Sequence, residues 1–213
     1  MRVARSIQPV MVLFLLGCAS RAAGQDGQRS APLPLGYGSL TQSDVALGVR
    51  NDDIEIRLIP LHRELAPLMA PDAYRALRDL ITANRPRIDS AAARGGVSQP
   101  GLALVTFFGV RPNVRFDPQI LTLAIRNQVF QPLGVVALSP RFTSGQLGVR
   151  EQASAIYVFE EDIPVTDSFT FSYGGLTSAD WEGKQSLLDR ERARVAARSR
   201  QERRDTTGET GKR

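Results

Sequence analysis

A lone histidine, His62, and a lone cysteine, Cys18, set the limits on catalysis in this 213-residue chain. A Ser-His-Asp site needs its histidine beside an activated serine, and no serine here sits in a nucleophile-elbow pattern. Pro60-Leu61-His62-Arg63-Glu64 reads instead as a turn at a strand end. Structural zinc takes three or four cysteine, histidine or carboxylate ligands, and this inventory is too poor for it, so no metal and no cofactor are expected. Glu160-Glu161-Asp162 is the one compact acidic cluster. Paired carboxylates can hold a hard cation or hydrolyse a glycoside, but no loop of alternating Asp/Asn around a central glycine accompanies these. A solvated turn accounts for them more simply, as it does for Asn51-Asp52-Asp53. The pairs Gly95-Gly96 and Gly174-Gly175 lie in no phosphate-cradling strand–loop–helix pattern. Phe107, Phe108, Phe169, Phe171 and Tyr173 could stack on bases or sugars, yet their strand-like spacing assigns them to a core.

The remaining chemistry belongs to the thiol. Arg2 and Arg5 precede the apolar run Val10 to Leu16, followed by Gly17-Cys18. That run falls short of the about 20 apolar residues a membrane span needs and matches a secretory leader. Leu15-Leu16-Gly17-Cys18 resembles the lipobox of bacterial lipoproteins, a likeness confined to the leader. It implies removal of residues 1–17 by cleavage between Gly17 and Cys18. It also implies diacylglycerol on the Cys18 sulfur and a further acyl chain, such as palmitate, on the new amino group. Ala19 in place of aspartate implies the outer membrane, with the protein facing the periplasm. With one cysteine there can be no intramolecular disulfide, so an exported domain of this kind must rest on its apolar core.

The elements that would carry surface chemistry follow from periodicity. Residues 18–39 lack apolar rhythm and read as a flexible tether. Ile54, Ile56 and Leu58 alternate with charged residues, as in a half-buried strand ended by Pro60. Pro71-Asp72 opens a helix with Tyr74, Leu77, Leu80 and Ile81 as its stripe; Pro86 should kink or end it, with a second short piece running to Arg94. The continuous run Leu102–Phe108 predicts a strand covered on both faces. Further strands are expected at 121–125, 133–138, 155–159 and 169–173, separated by turn residues. Trp181, Leu188 and Val195 recur every seven residues, predicting a helix to about Arg204 with a one-residue stripe, then disorder from Asp205 to Arg213.

These elements predict a mainly β fold: an immunoglobulin-like β-sandwich over 40–176 that folds alone, with a helical insertion at 71–94. A basic helical tail over 177–213 should be dispensable to it, with Leu187-Leu188 the last packed positions. A small α+β domain is the alternative. The formal charge of +5 is uneven. The leader carries +2 and residues 189–213 carry +4, which leaves 18–188 at −1. Basicity therefore argues for no nucleic-acid partner, and export removes the chain from that compartment. It leaves the tail free to attract an anionic surface or envelope polymer.

The function expected is a membrane-anchored envelope lipoprotein, not an enzyme. It would act as a binding or assembly module for an envelope protein, through sheet edges or the 71–94 helix. The alternatives are a carboxylate-dependent envelope hydrolase and a small-ligand carrier using the sandwich interior. The lipobox yields the first test. Cys18→Ser should abolish incorporation of radiolabelled fatty acid and release the protein from membranes; a wild-type chain that takes up no label at Cys18 would refute the anchor.

Overall fold

The computed structural model describes residues 32–210, so the leader, Gly17, Cys18 and most of the expected tether lie outside the described residues. Antiparallel strands dominate. One sheet has the order β1 (Leu47–Arg50), β2 (Ile54–Pro60), β3 (Gly101–Gly109), β9 (Gln152–Phe159) and β7 (Gly134–Ala137). The second has the order β11 (Leu176–Ser178), β10 (Phe169–Tyr173), β5 (Leu121–Ile125) and β6 (Gln128–Phe130). A two-stranded ribbon joins β4 (Val114–Arg115) to β8 (Gln146–Leu147). Three α-helices accompany them: α1 (Pro71–Arg94), α2 (Pro140–Ser144) and α3 (Trp181–Thr210). The mainly β expectation holds in this coarse sense.

Alternation dictates which face each strand buries. Ile56 and Leu58 point inward and pair across β3 with Phe107 and Val105, which in turn meet Ala153 and Ala155 of β9. Large side chains thus sit beside small ones, so the face is filled without crowding. From the other sheet, Leu121, Leu123 and Ile125 pair with Tyr173, Phe171 and Phe169, and all of them enter the same core. Aromatic rings close the gap: Phe107 stacks on Phe116 at 4.5 Å and meets Tyr173 edge-on at 5.5 Å. Burial drives the Tyr157 hydroxyl well above the ordinary tyrosine range and raises that of Tyr173 as well. Each still has a partner, Pro118 O for Tyr157 and the Asp117 N–H for Tyr173.

The outer face of the large sheet carries a second core. Ile88, Ala91 and Ala92 of α1 pack on Val136, Ile156 and Val158. β9 is therefore dry on both faces from Ala155 to Phe159. β3 is covered less completely than its apolar run predicts. Its outer residues Leu102 to Phe108 are half-buried, and the Arg57 guanidinium lies 4.9 Å over the Phe108 ring.

Several sequence expectations need correction. Pro86 neither ends nor divides α1, which runs unbroken for 24 residues. Proline removes one donor, and both Pro86 and Thr82, whose carbonyl loses its partner, are exposed, so water can satisfy that carbonyl. The hairpin between β5 and β6 was missed because Arg126 and Asn127 take positive φ (48° and 66°) without the usual glycine. α2 falls where a strand end and a turn were expected, at Pro140 and Ser144-Gly145.

The largest correction concerns the tail. Trp181, Leu188 and Val195 are fully buried, and Trp181 Nε1 donates to Val165 O at 3.2 Å. Residues 40–176 alone thus lack part of the core, and packing does not stop at Leu188. One stripe suffices because α3 lies on a preformed surface instead of pairing with a second helix. The helix also runs past Arg204 to Thr210, where disorder was expected; extending a formed helix fixes few new dihedrals per bond gained. The end of the expected tether is ordered too. Gly36, Leu40 and Ala70 bond the 36–40 segment to residues 66–70. At Gly38 a Cβ would stand 1.8 Å from Leu68 O, so only glycine permits the approach.

Two stability outcomes follow. Phe171→Ala should cost about 3–5 kcal/mol and outward-facing Thr170→Ala less than about 1 kcal/mol in urea titrations; equal losses would place the wrong face inward. A chain ending at Leu188 should lose at least about 2 kcal/mol, since Val195 burial goes with it; an unchanged urea midpoint would mean that α3 adds nothing.

Candidate functional site: an arginine-rimmed apolar groove

The groove arises where α1 leaves the large sheet. After β2 ends at Pro60, the Leu61 N–H donates to Leu102 O at 2.8 Å, and the chain turns sharply into residues 62–70. Leu65 and Leu68 anchor that loop in the core. α1 then crosses back over the sheet. Its C-terminal half touches β7 and β9, while its N-terminal half stands off above the loop. The stripe read from the sequence accordingly divides. Leu77 is buried in the main core, Leu80 and Ile81 pack half-buried against the outer core, and Tyr74 lies half-buried against the main core.

Between them lies a cavity of about 310 Å³ with a floor of Leu61, Leu65, Met69, Leu77, Ile81 and Leu102. This is the lower end of the size range of small-molecule sites. Its rim holds Arg63, Arg78, Arg85 and His62, and no carboxylate lines it. Arg78 pairs with Asp79 at 2.8 Å, which raises its pKa, and lies 5.7 Å over the Tyr74 ring. Arg85 pairs with Asp89 at 2.8 Å. Arg63 is exposed and has no carboxylate partner among the described residues. None of these arginines was singled out in the sequence. Arg78 and Arg85, one heptad apart beside a broad apolar stripe, were the available signal.

His62 and Asp162, read separately in the sequence, come together at the groove mouth with Nε2 and Oδ2 3.1 Å apart. His62 Nδ1 accepts the Glu64 N–H at 3.1 Å. On its other side the ring lies against the exposed Asp162 carboxylate. The Nδ1 bond to Glu64 N–H braces the turn at residues 62–64. Glu160, Glu161 and Asp162 are all exposed, and they do not converge on a cavity. Among the described residues no three His, Cys, Asp or Glu side chains are grouped to hold a metal. Asn51-Asp52-Asp53 forms the expected turn: Asn51 Oδ1 accepts from the Asp53 and Ile54 N–H groups, and Arg111 pairs with Asp53 at 3.2 Å.

A larger opening of about 780 Å³ lies at one end of the sheets, between Arg111, Asp53, Asp117 and Tyr173. It is shallow, its Arg111 is already paired, and its lining is as polar as apolar. Between the sheets the rings of Phe107, Phe116, Phe142, Tyr157 and Tyr173 pack against one another. No helix of the described residues is long and apolar enough to cross a membrane. Set against family models, curated proteins and solved structures, the chain gives no significant match.

Proposed function

We propose that this protein is a membrane-anchored envelope lipoprotein whose body is a β-sandwich of the immunoglobulin-like kind, acting as a non-enzymatic binding module. Its site is the groove under the N-terminal half of α1. Support for the anchor comes from the lipobox at Leu15–Cys18, and for the outer membrane facing the periplasm from Ala19 after that cysteine. Support for the sandwich comes from the two antiparallel sheets that share one core.

The observation that carries the binding role is the groove's division of chemistry: an apolar floor, three arginines on the rim, and no carboxylate in the wall. Such a site fits a ligand with an apolar body and an anionic end, such as an acyl chain bearing a carboxylate. The chain leaves water for the Leu77–Leu102 floor, while the head stays at the mouth within reach of Arg63.

Titration with a fluorescent fatty acid and its neutral methyl ester tests this reading. The acid should bind saturably and several-fold tighter than the ester. Ile81→Gln should weaken both ligands, whereas Arg63→Glu should weaken the acid alone. Equal binding of acid and ester, or binding indifferent to Ile81→Gln, would overturn it.

A further inference from the structure

The basic helix is fixed to the body along one side, which determines what its other side presents. Trp181, Leu188, Glu191, Val195 and Ser199 form the buried stripe of α3. At 3.6 residues per turn, Arg190, Arg194, Arg200 and Arg204 fall on the opposite side, and all four are exposed. Exposed Ala193 and Ala197 lie between them, so no long apolar side chain interrupts the row. Acidic residues within this stretch point elsewhere. Glu191 is buried, and Glu202 hydrogen-bonds Tyr37 at the flank of the helix. The result is a basic face about 21 Å long, on which Arg194 is paired with Glu191 and the other three arginines are not paired with a carboxylate among the described residues.

A second, independent observation concerns where this row sits. The chain enters the body against α3. Arg198 Nη1 donates to Tyr37 O at 2.8 Å, and the Ser39 N–H and Oγ donate to Glu191 Oε1 at 2.7 and 3.0 Å. Tyr37 follows Cys18 by nineteen residues. Anything attached at Cys18 is therefore joined to the body at the edge of the arginine row.

We propose that the outward face of α3, carrying Arg190, Arg194, Arg200 and Arg204, is a second membrane-contact surface that lies on anionic phospholipid headgroups beside the anchored end of the chain. The proposal rests on the lipid anchor proposed above for its setting. A lipid at Cys18 makes headgroup contact an intramolecular event of high effective concentration, so weak contacts suffice. Several acyl chains already hold a lipoprotein firmly, so the arginine row adds orientation more than affinity. Because the buried stripe ties α3 to β10 and to the 66–68 turn, laying this face on the bilayer fixes the pose of the whole body. An anionic surface is selected because each arginine near it gains from the surface potential, an attraction that acts over about 8 Å at physiological salt.

The test uses the full-length Cys18→Ser chain, which carries no acyl group, in sedimentation with vesicles of phosphatidylcholine alone or with phosphatidylglycerol added. The chain should pellet with the anionic vesicles, not with the neutral ones, and be released by high salt. Replacing Arg190, Arg200 and Arg204 with Gln should cut the anionic binding at least about tenfold while the melting temperature stays put; Arg194 is left intact because it also holds Glu191. Equal binding to both vesicle types, or undiminished binding by the triple variant, would overturn the proposal. Failure of the anchor reading is read separately, as absence of fatty-acid label on the wild-type chain.

Discussion

Everything in this fold answers to β9, the strand that must be kept dry on both sides. Ala155, Tyr157 and Phe159 face the aromatic core, while Ile156 and Val158 face the other way. A strand of this kind cannot sit at the surface of a two-sheet body without a third layer over it. α1 supplies that layer, and its position is set by the need to place Ile88, Ala91 and Ala92 on Val136, Ile156 and Val158. Since the sheet twists away beneath a helix running across it, contact at one end goes with separation at the other. The groove occupies that separation. It is a by-product of covering β9, lined by stripe residues of α1 together with Leu102 of β3 and the 61–69 loop.

The same logic governs α3, with a polar centre in place of an apolar one. Glu191 sits in the buried stripe with its side chain almost fully enclosed. A carboxylate there would be costly without donors, and it has them: the Ser39 N–H and hydroxyl on one oxygen, and Arg194 at 2.8 Å on the other. The pairing fixes the helix in rotation as well as in place. A turn about its axis would expose Leu188 and bury an arginine at the same time.

How much of this could be read from residues alone depended on range. Alternation at 54–58, 121–125 and 169–173 named the strands and the faces they bury, because one buried face imposes a period of two. Pro71-Asp72 and Gly95 marked both ends of α1, since caps are local. Pro86 misled, because whether a proline breaks a helix depends on whether the freed carbonyl meets water, which is a tertiary fact. The β6 hairpin was illegible because Arg126-Asn127 adopts by context what Asn-Gly adopts by preference. At the candidate site, His62 and Asp162 were both noted but lie a hundred residues apart, and only the pairing of β3 with its neighbours brings them within 3.1 Å. The groove arginines carried no motif. Glu191 stands three residues before Arg194, the spacing of an ordinary surface pair, and nothing in the tail announced that Ser39 would close over it.

The joint between residues 36–40 and the rest of the body also has a mechanical meaning. Within five residues, the Gly36 and Leu40 N–H groups, Leu40 O, the Ser39 side chain and Tyr37 O all hold partners on residues 66–70 or on α3. Gly38 lets the backbone lie close enough for them to form together. Tension arriving along the preceding chain therefore meets a cluster of bonds loaded side by side, not a single strand end that could be peeled. The load passes first into α3 and the loop below α1. Whatever pulls on the N-terminal side of this protein pulls on a rivet.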